Sequence, residues 1–258
     1  MTWIKKKLYL AAIPLSIGIS IAAAVSVRAN APNVFAATPK NRTLISQSFT
    51  PPNREGKSPV TAGAATRGGC DTKQNLVTPL MPKEKLGLTF DERPTFYWHT
   101  SKSNAETAEF LLLDDNDDLV YEANVNLPKK PGIFAFTLPP EAPGLKTNKQ
   151  YHWYLSVNCS SEETDDIVTV EGWVERTKPN LATWIKLNKS TPKYRSKIYA
   201  DASIWHEAIT NVAQQRCIAP YDSTMVLYWN QLLTSVGLKE LVSESITNVC
   251  EVKNDDNK

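Results

Sequence analysis

The sequence is poor in the residues from which reactive sites are built. Among 258 residues there are three histidines (His99, His152, His206) and four cysteines (Cys70, Cys159, Cys217, Cys250), all widely separated. No Cys-x-x-Cys pair occurs, which excludes the usual zinc and thioredoxin-like spacings. Gly-x-Ser-x-Gly is also missing, so a nucleophilic serine on a strained strand-to-helix turn has no counterpart here. Charge of one sign is equally scarce. The formal net charge is +2, but Lys5, Lys6, Lys7 and Arg28 stand near the N-terminus with no acid among them, which leaves −2 for residues 30–258. That balance gives no electrostatic footprint for a nucleic acid.

A long uncharged apolar run occurs once, from Leu8 to Val27, behind the three lysines and ahead of the small-x-Ala sequence Val27-Arg28-Ala29. This is the form of a secretory signal peptide over residues 1–29, with Asn30 the first mature residue. An uncleaved anchor is the alternative, because about 20 apolar residues just span a bilayer. Export implies an oxidising setting, in which four cysteines favour disulfides over metal or redox chemistry. Of the three connectivities, Cys70–Cys159 and Cys217–Cys250 are preferred, because each ties a flexible flank to an ordered element. Residues 30–65 are rich in Pro, Ser, Thr, Asn and Ala without periodicity. Such a segment buries too little apolar surface to offset its chain entropy, and it reads as a disordered linker.

Residues 66–177 carry short strand-like runs at Leu86–Phe90, Thr95–His99, Thr107–Leu113, Leu119–Val125, Ile133–Leu138, Tyr151–Cys159 and Ile167–Thr177. Turn residues separate them, and seven such runs point to an immunoglobulin-like antiparallel β-sandwich. The clearest pair spans Gln150 to Thr177. Tyr151, Trp153, Leu155 and Val157 form one face; His152, Tyr154, Ser156 and Asn158 form the other. Leu145, six residues before Tyr151, resembles the tyrosine corner of immunoglobulin-like folds.

Beyond Thr177 the period lengthens. Thr191-Pro192 reads as a helix start, and Ile198, Ala202, Trp205, Ile209 and Val212 form one apolar helix face. A second helix begins near Asp222, carries Met225, Trp229, Leu232 and Val236, and closes at Gly237. Residues 178–245 thus predict an αα-hairpin similar to a tetratricopeptide unit, docked on the sandwich because one unit cannot bury its own face. A further short helix is predicted over Pro179–Leu187. Residues 246–258 read as a flexible tail.

The runs Thr66-Arg67-Gly68-Gly69-Cys70, Gly87-Leu88-Thr89, Pro94-Thr95-Phe96, Ala108-Glu109-Phe110, Tyr151 to Cys159, Val170 to Arg176 and Trp229 to Leu238 together resemble a secreted cyanobacterial family, domain of unknown function 928. The resemblance covers residues 66–241. It implies a signal peptide, a β-rich core, a helical tail and no assigned activity.

Two constellations fall short of chemistry. Asp114, Asn116 and Asp118 have calcium-loop spacing, but Leu119 stands where the loop needs glycine and Val125 where it needs a bidentate acid. A charged hairpin tip explains them. Glu171 and Glu175 share a strand face about 13 Å apart, too far for paired carboxylates in a glycosidase. No catalytic, cofactor or metal residues are assigned, and the chain reads as a non-enzyme. Trp173, Tyr154 and His152 share the face away from the sandwich core. Either the helical hairpin covers them, which is the favoured reading, or they form a surface aromatic platform for a glycan or a protein. The expectation is an exported, periplasmic or extracellular, non-catalytic protein-interaction or scaffold module of the cell envelope. The alternative is a carbohydrate- or peptidoglycan-binding module. Its partner would be an envelope protein or glycan, with no nucleic acid, and with membrane contact only through the signal sequence before cleavage.

Overall fold

The computed structural model describes residues 48–52, 76–102, 105–158, 167–247 and 249, all within the compact unit Leu44–Lys258. The leader, Cys70, Cys159 and Cys250 lie outside the described residues. The chain is mainly β with a helical tail. Strands β1 (Val77–Pro79), β3 (Thr95–Thr100) and β6 (Gly132–Thr137) form one sheet in the order β1-β3-β6. Strands β2 (Leu86–Thr89), β4 (Thr107–Leu113), β5 (Leu119–Asn126), β7 (Gln150–Asn158) and β8 (Ile167–Arg176) form the other, ordered β2-β8-β7-β4-β5. Among the described strands all pairings are antiparallel except β2 with β8. The expected antiparallel sandwich is thus corrected to one with a mixed larger sheet, its edge strand β2 held in parallel register where Leu86 meets Trp173. The seven expected strands are present within two residues of their predicted ends. The three-residue β1 was not anticipated.

The alternation on β7 and β8 decides which side chains enter the sandwich. Trp153 lies opposite Gly172, Leu155 opposite Val170 and Val157 opposite Val168. A Cβ at Gly172 would stand 2.5 Å from the Trp153 ring and 2.5 Å from Met81 Sδ, so only glycine leaves room for that indole. Trp98 of the smaller sheet meets Phe110 and Trp153 of the larger one, with centroids 6.1 and 5.6 Å away. These edge-on contacts fill the space between the sheets. The Tyr151 hydroxyl accepts the Lys146 N–H at 3.0 Å, and Arg176 Nη1 donates to the Leu145 carbonyl at 2.8 Å. The loop before β7 is thus held at Lys146 by the tyrosine hydroxyl and at Leu145 by Arg176.

Four α-helices follow: α1 (Leu181–Lys189), α2 (Pro192–Asp201), α3 (Trp205–Ile218) and α4 (Ser223–Ser235). The predicted first arm of the hairpin is therefore two helices. Its apolar spacing runs unbroken, yet Ser203 adopts a positive φ of 62° and Ile204 is extended, forming a parallel bridge with Leu88. Ile204 enters a small second core with Leu86, Leu88 and Trp173, and that burial outweighs continuing the helix. Ser196 Oγ then donates to the Ala208 carbonyl at 2.9 Å and ties α2 to α3. On α4, Asp222 caps the start by accepting from the Thr224 and Met225 N–H groups, and Met225, Trp229, Leu232 and Val236 are all buried as expected. Helix α3 packs on β2 and β3, and Trp205 Nε1 donates to the Leu80 carbonyl at 2.9 Å. The helices and the sandwich share one core.

Two expected flexible segments are partly ordered. Within the supposed linker 30–65, Phe49 is buried 5.0 Å from Trp205, and its N–H donates to Ser235 Oγ. One aromatic ring suffices to hold a polar segment when a gap between two helices fits it. Within the supposed tail 246–258, Ile246 bridges Ile133, and the Thr247 N–H donates to the Ile133 carbonyl at 2.8 Å. These residues satisfy the outer edge of β6, which would otherwise expose unpaired backbone groups. At Asp114 to Asp118 the Asp114 carboxylate accepts from the Asn116 and Asp118 N–H groups, as a hairpin tip does.

Candidate functional site

The structure brings His152, Tyr154 and Trp173 together on the outer face of the larger sheet. His152 lies directly opposite Trp173, and Tyr154 opposite Glu171. The imidazole stacks on Trp173 with ring centroids 4.1 Å apart and 12° between the planes, and the Tyr154 ring is tilted against it at 41° with centroids 4.2 Å apart. His152 Nδ1 is 2.8 Å from the Tyr154 hydroxyl, Nε2 is 3.1 Å from Glu171 Oε2, and Glu171 Oε1 accepts a hydrogen bond from Lys85 Nζ at 3.0 Å. A neutral imidazole that accepts from the tyrosine and donates to the carboxylate satisfies every bond in this chain. Burial lowers the His152 pKa, against the opposing pull of Glu171, and burial also raises that of Tyr154. The phenol is thus held protonated, and the cluster acts as a clasp across β7 and β8.

The three residues do not form an exposed platform. His152 is 1% and Trp173 6% exposed, and Tyr154 is half-buried. The sequence placed them on the correct face; Leu86, Leu88 and Ile204 cover Trp173, and the flanking rings cover His152.

A second polar cluster escaped sequence reasoning. Glu207 reaches from the first turn of α3 to the end of β2. Its Oε1 accepts from the Thr89 hydroxyl at 2.6 Å and from the Phe90 and Asp91 N–H groups at 2.9 Å. Its Oε2 is buried without a hydrogen bond. Burial pushes the carboxyl up to about 6, against the lowering effect of those donors. Next to it, His206 Nδ1 donates to the Thr95 carbonyl at 3.0 Å while Nε2 packs over Gly87, and burial holds the imidazole down at about 4. The available signal was one charged residue embedded in the apolar run Trp205 to Ile209.

Between β2, α1 and α2 lies a cavity of about 280 Å³, floored by Leu88, Phe90 and Ile204 and rimmed by Lys178, Lys186 and Asp201. Helix α1 beside it is turned inside out. Its buried side chain is Thr183, while Leu181 (72%), Trp184 (54%) and Ile185 (39%) face solvent. Asn180 Oδ1 caps the helix by accepting from the Thr183 N–H at 2.8 Å, which sets its first turn. No group of His, Cys, Asp and Glu able to hold a metal ion occurs among the described residues. Cys217 is not a free thiol. The pairings Cys70–Cys159 and Cys217–Cys250 involve residues outside the described set.

A two-sheet β fold with four C-terminal helices and closed polar clusters is the class of protein defined here. The family model described as Domain of Unknown Function (DUF928) matches residues 62–246, and the chain belongs to that family. No curated protein matches the chain. Among solved structures, the crystal structure of CopC from Methylosinus trichosporium OB3b is similar at 18% identity and a TM-score of 0.28, over 37% of this chain and 87% of that one. A likeness at that level carries no argument about function.

Proposed function

We propose that the protein is a non-catalytic interaction or scaffold module of the cell envelope, exported by the segment at residues 1–29. The observation that carries this reading is the apolar face of α1. Leu181, Trp184 and Ile185 stand out in solvent on a chain whose other tryptophans among the described residues are buried. A cluster of large apolar side chains held outward on a capped helix is a contact surface rather than a packing remainder. The first polar cluster supports the same reading, because Lys85, Glu171, His152 and Tyr154 are engaged with one another. The glycan-binding alternative loses its stacking surface, since the rings of His152 and Trp173 are covered. Disulfides Cys70–Cys159 and Cys217–Cys250 belong to the same proposal and accord with an oxidising compartment.

Photo-cross-linking tests the reading. A photoreactive residue at position 184, in envelopes of cells that make the protein, should give adducts with an envelope component. The same residue at the exposed Glu141 serves as control. Equal adduct yields at the two positions would overturn the assignment.

A further inference from the structure

The surface around α1 is chemically lopsided. From Lys178 to Ala200 the chain has six basic residues and no acid. Lys193 is paired with Asp222 and Lys197 with Asp201. Lys178, Lys186 and Lys189 are exposed and have no acidic partner among the described residues. They border the outward side chains of Leu181, Trp184 and Ile185, and the exposed Tyr194 stands just beyond on α2. The net charge of the chain conceals this local cluster.

We propose that α1 seats the protein on an anionic lipid surface. This rests on the reading of α1 as the contact face and names what it contacts. A nine-residue helix is about 14 Å long and cannot span a bilayer, and no helix among the described residues is long and apolar enough to do so. It can lie in the interfacial plane, with leucine, isoleucine and tryptophan in the acyl boundary and lysines reaching back to the phosphates. Tryptophan and tyrosine favour that boundary because one end of the ring system is apolar and the other wet. The apolar side chains project from a convex helix, a shape that a deformable lipid layer accommodates. An acidic protein would need a matching groove. The three exposed lysines supply the charge complementarity, and each adds roughly fivefold to the affinity for an anionic surface.

The test uses the full chain and vesicles of brominated phosphatidylcholine, with and without phosphatidylglycerol. The readout is the fluorescence quenching specific to Trp184, obtained by difference from Trp184→Phe, so that any binding through residues 8–27 does not count. Trp184 is exposed, and its replacement leaves the core intact. The expected result is Trp184-specific quenching in vesicles containing phosphatidylglycerol. It should be suppressed by high salt and weakened roughly fivefold for each of Lys186→Gln and Lys189→Gln. Equal quenching in neutral vesicles would overturn the anionic preference. No quenching in either, with polyglutamate instead shifting Trp184 emission, would overturn the lipid assignment in favour of an acidic protein. In that case adducts to protein at position 184 would leave the interaction module standing; adducts at neither lipid nor protein would remove both.

Discussion

His206 and Glu207 are adjacent on the first turn of α3, and the same burial drives their ionisation in opposite directions. The imidazole is held at about 4 and the carboxyl at about 6. One faces β3 through the Thr95 carbonyl, the other faces the end of β2 through Thr89, Phe90 and Asp91.

The pair sets a pH dependence of stability. The folded Glu207 carboxyl binds its proton more tightly than the unfolded one at 4.5, so its contribution is full below 4.5 and lost as pH rises to about 6. The folded His206 binds its proton more weakly than at 6.5, so its contribution is lost as pH falls from 6.5 to about 4. At about 1.4 kcal/mol per pH unit these are roughly 2 and 3.5 kcal/mol in opposing directions. Between pH 4 and 6.5 the unfolding free energy of Glu207→Gln should rise by up to about 2 kcal/mol more than that of the wild type. Urea unfolding across this range measures it, and superimposable pH profiles would refute it.

Trp173 covers His152, so the two should respond together. Trp173→Ala removes a buried indole and should cost about 3–5 kcal/mol. It should also raise the pKa of His152, because burial is the largest cause of its depression. Imidazole chemical shifts followed through a pH titration would show this; an unmoved His152 titration would mean that the stack is not what keeps water out.

Tyr151→Phe keeps the buried ring and removes the acceptor for the Lys146 N–H. The expected loss is about 1 kcal/mol. Denaturant midpoints at unchanged m-value report it, and a neutral result would show that the loop before β7 is held by Arg176 instead.

A chain ending at Arg176 should fail to unfold cooperatively. It would bare Leu86, Leu88 and Trp173, which pack on Ile204, and it would leave the Leu80 carbonyl without the Trp205 N–H. Calorimetry on the two chains decides the point; equal melting temperatures would show that the sandwich stands alone.

The strands were legible because a half-buried strand writes its two faces into alternating residues. Gln150 to Thr177 shows this: Trp153, Leu155 and Val157 went inward, and His152, Tyr154 and Trp173 outward, as the alternation required. The helix start at Asp222 and its close near Gly237 were legible for a similar reason. Each depends on residues a few positions apart, and local geometry follows from local sequence.

What covers an outward face is a different matter, because it depends on residues distant in the chain. Ile204 falls about thirty positions after Trp173, and its bridge to Leu88 interrupts a helical spacing that continues without a break in the sequence. Phe49 looked like part of a featureless polar segment until α3 and α4 supplied a slot beside Trp205. The pattern of Leu181, Trp184 and Ile185 defines an apolar helix face, but not its direction. Only the packed molecule turned Thr183 inward, toward the cavity between β2, α1 and α2, and left that face in water, because which side of a short helix meets the rest of the chain is set by distant elements.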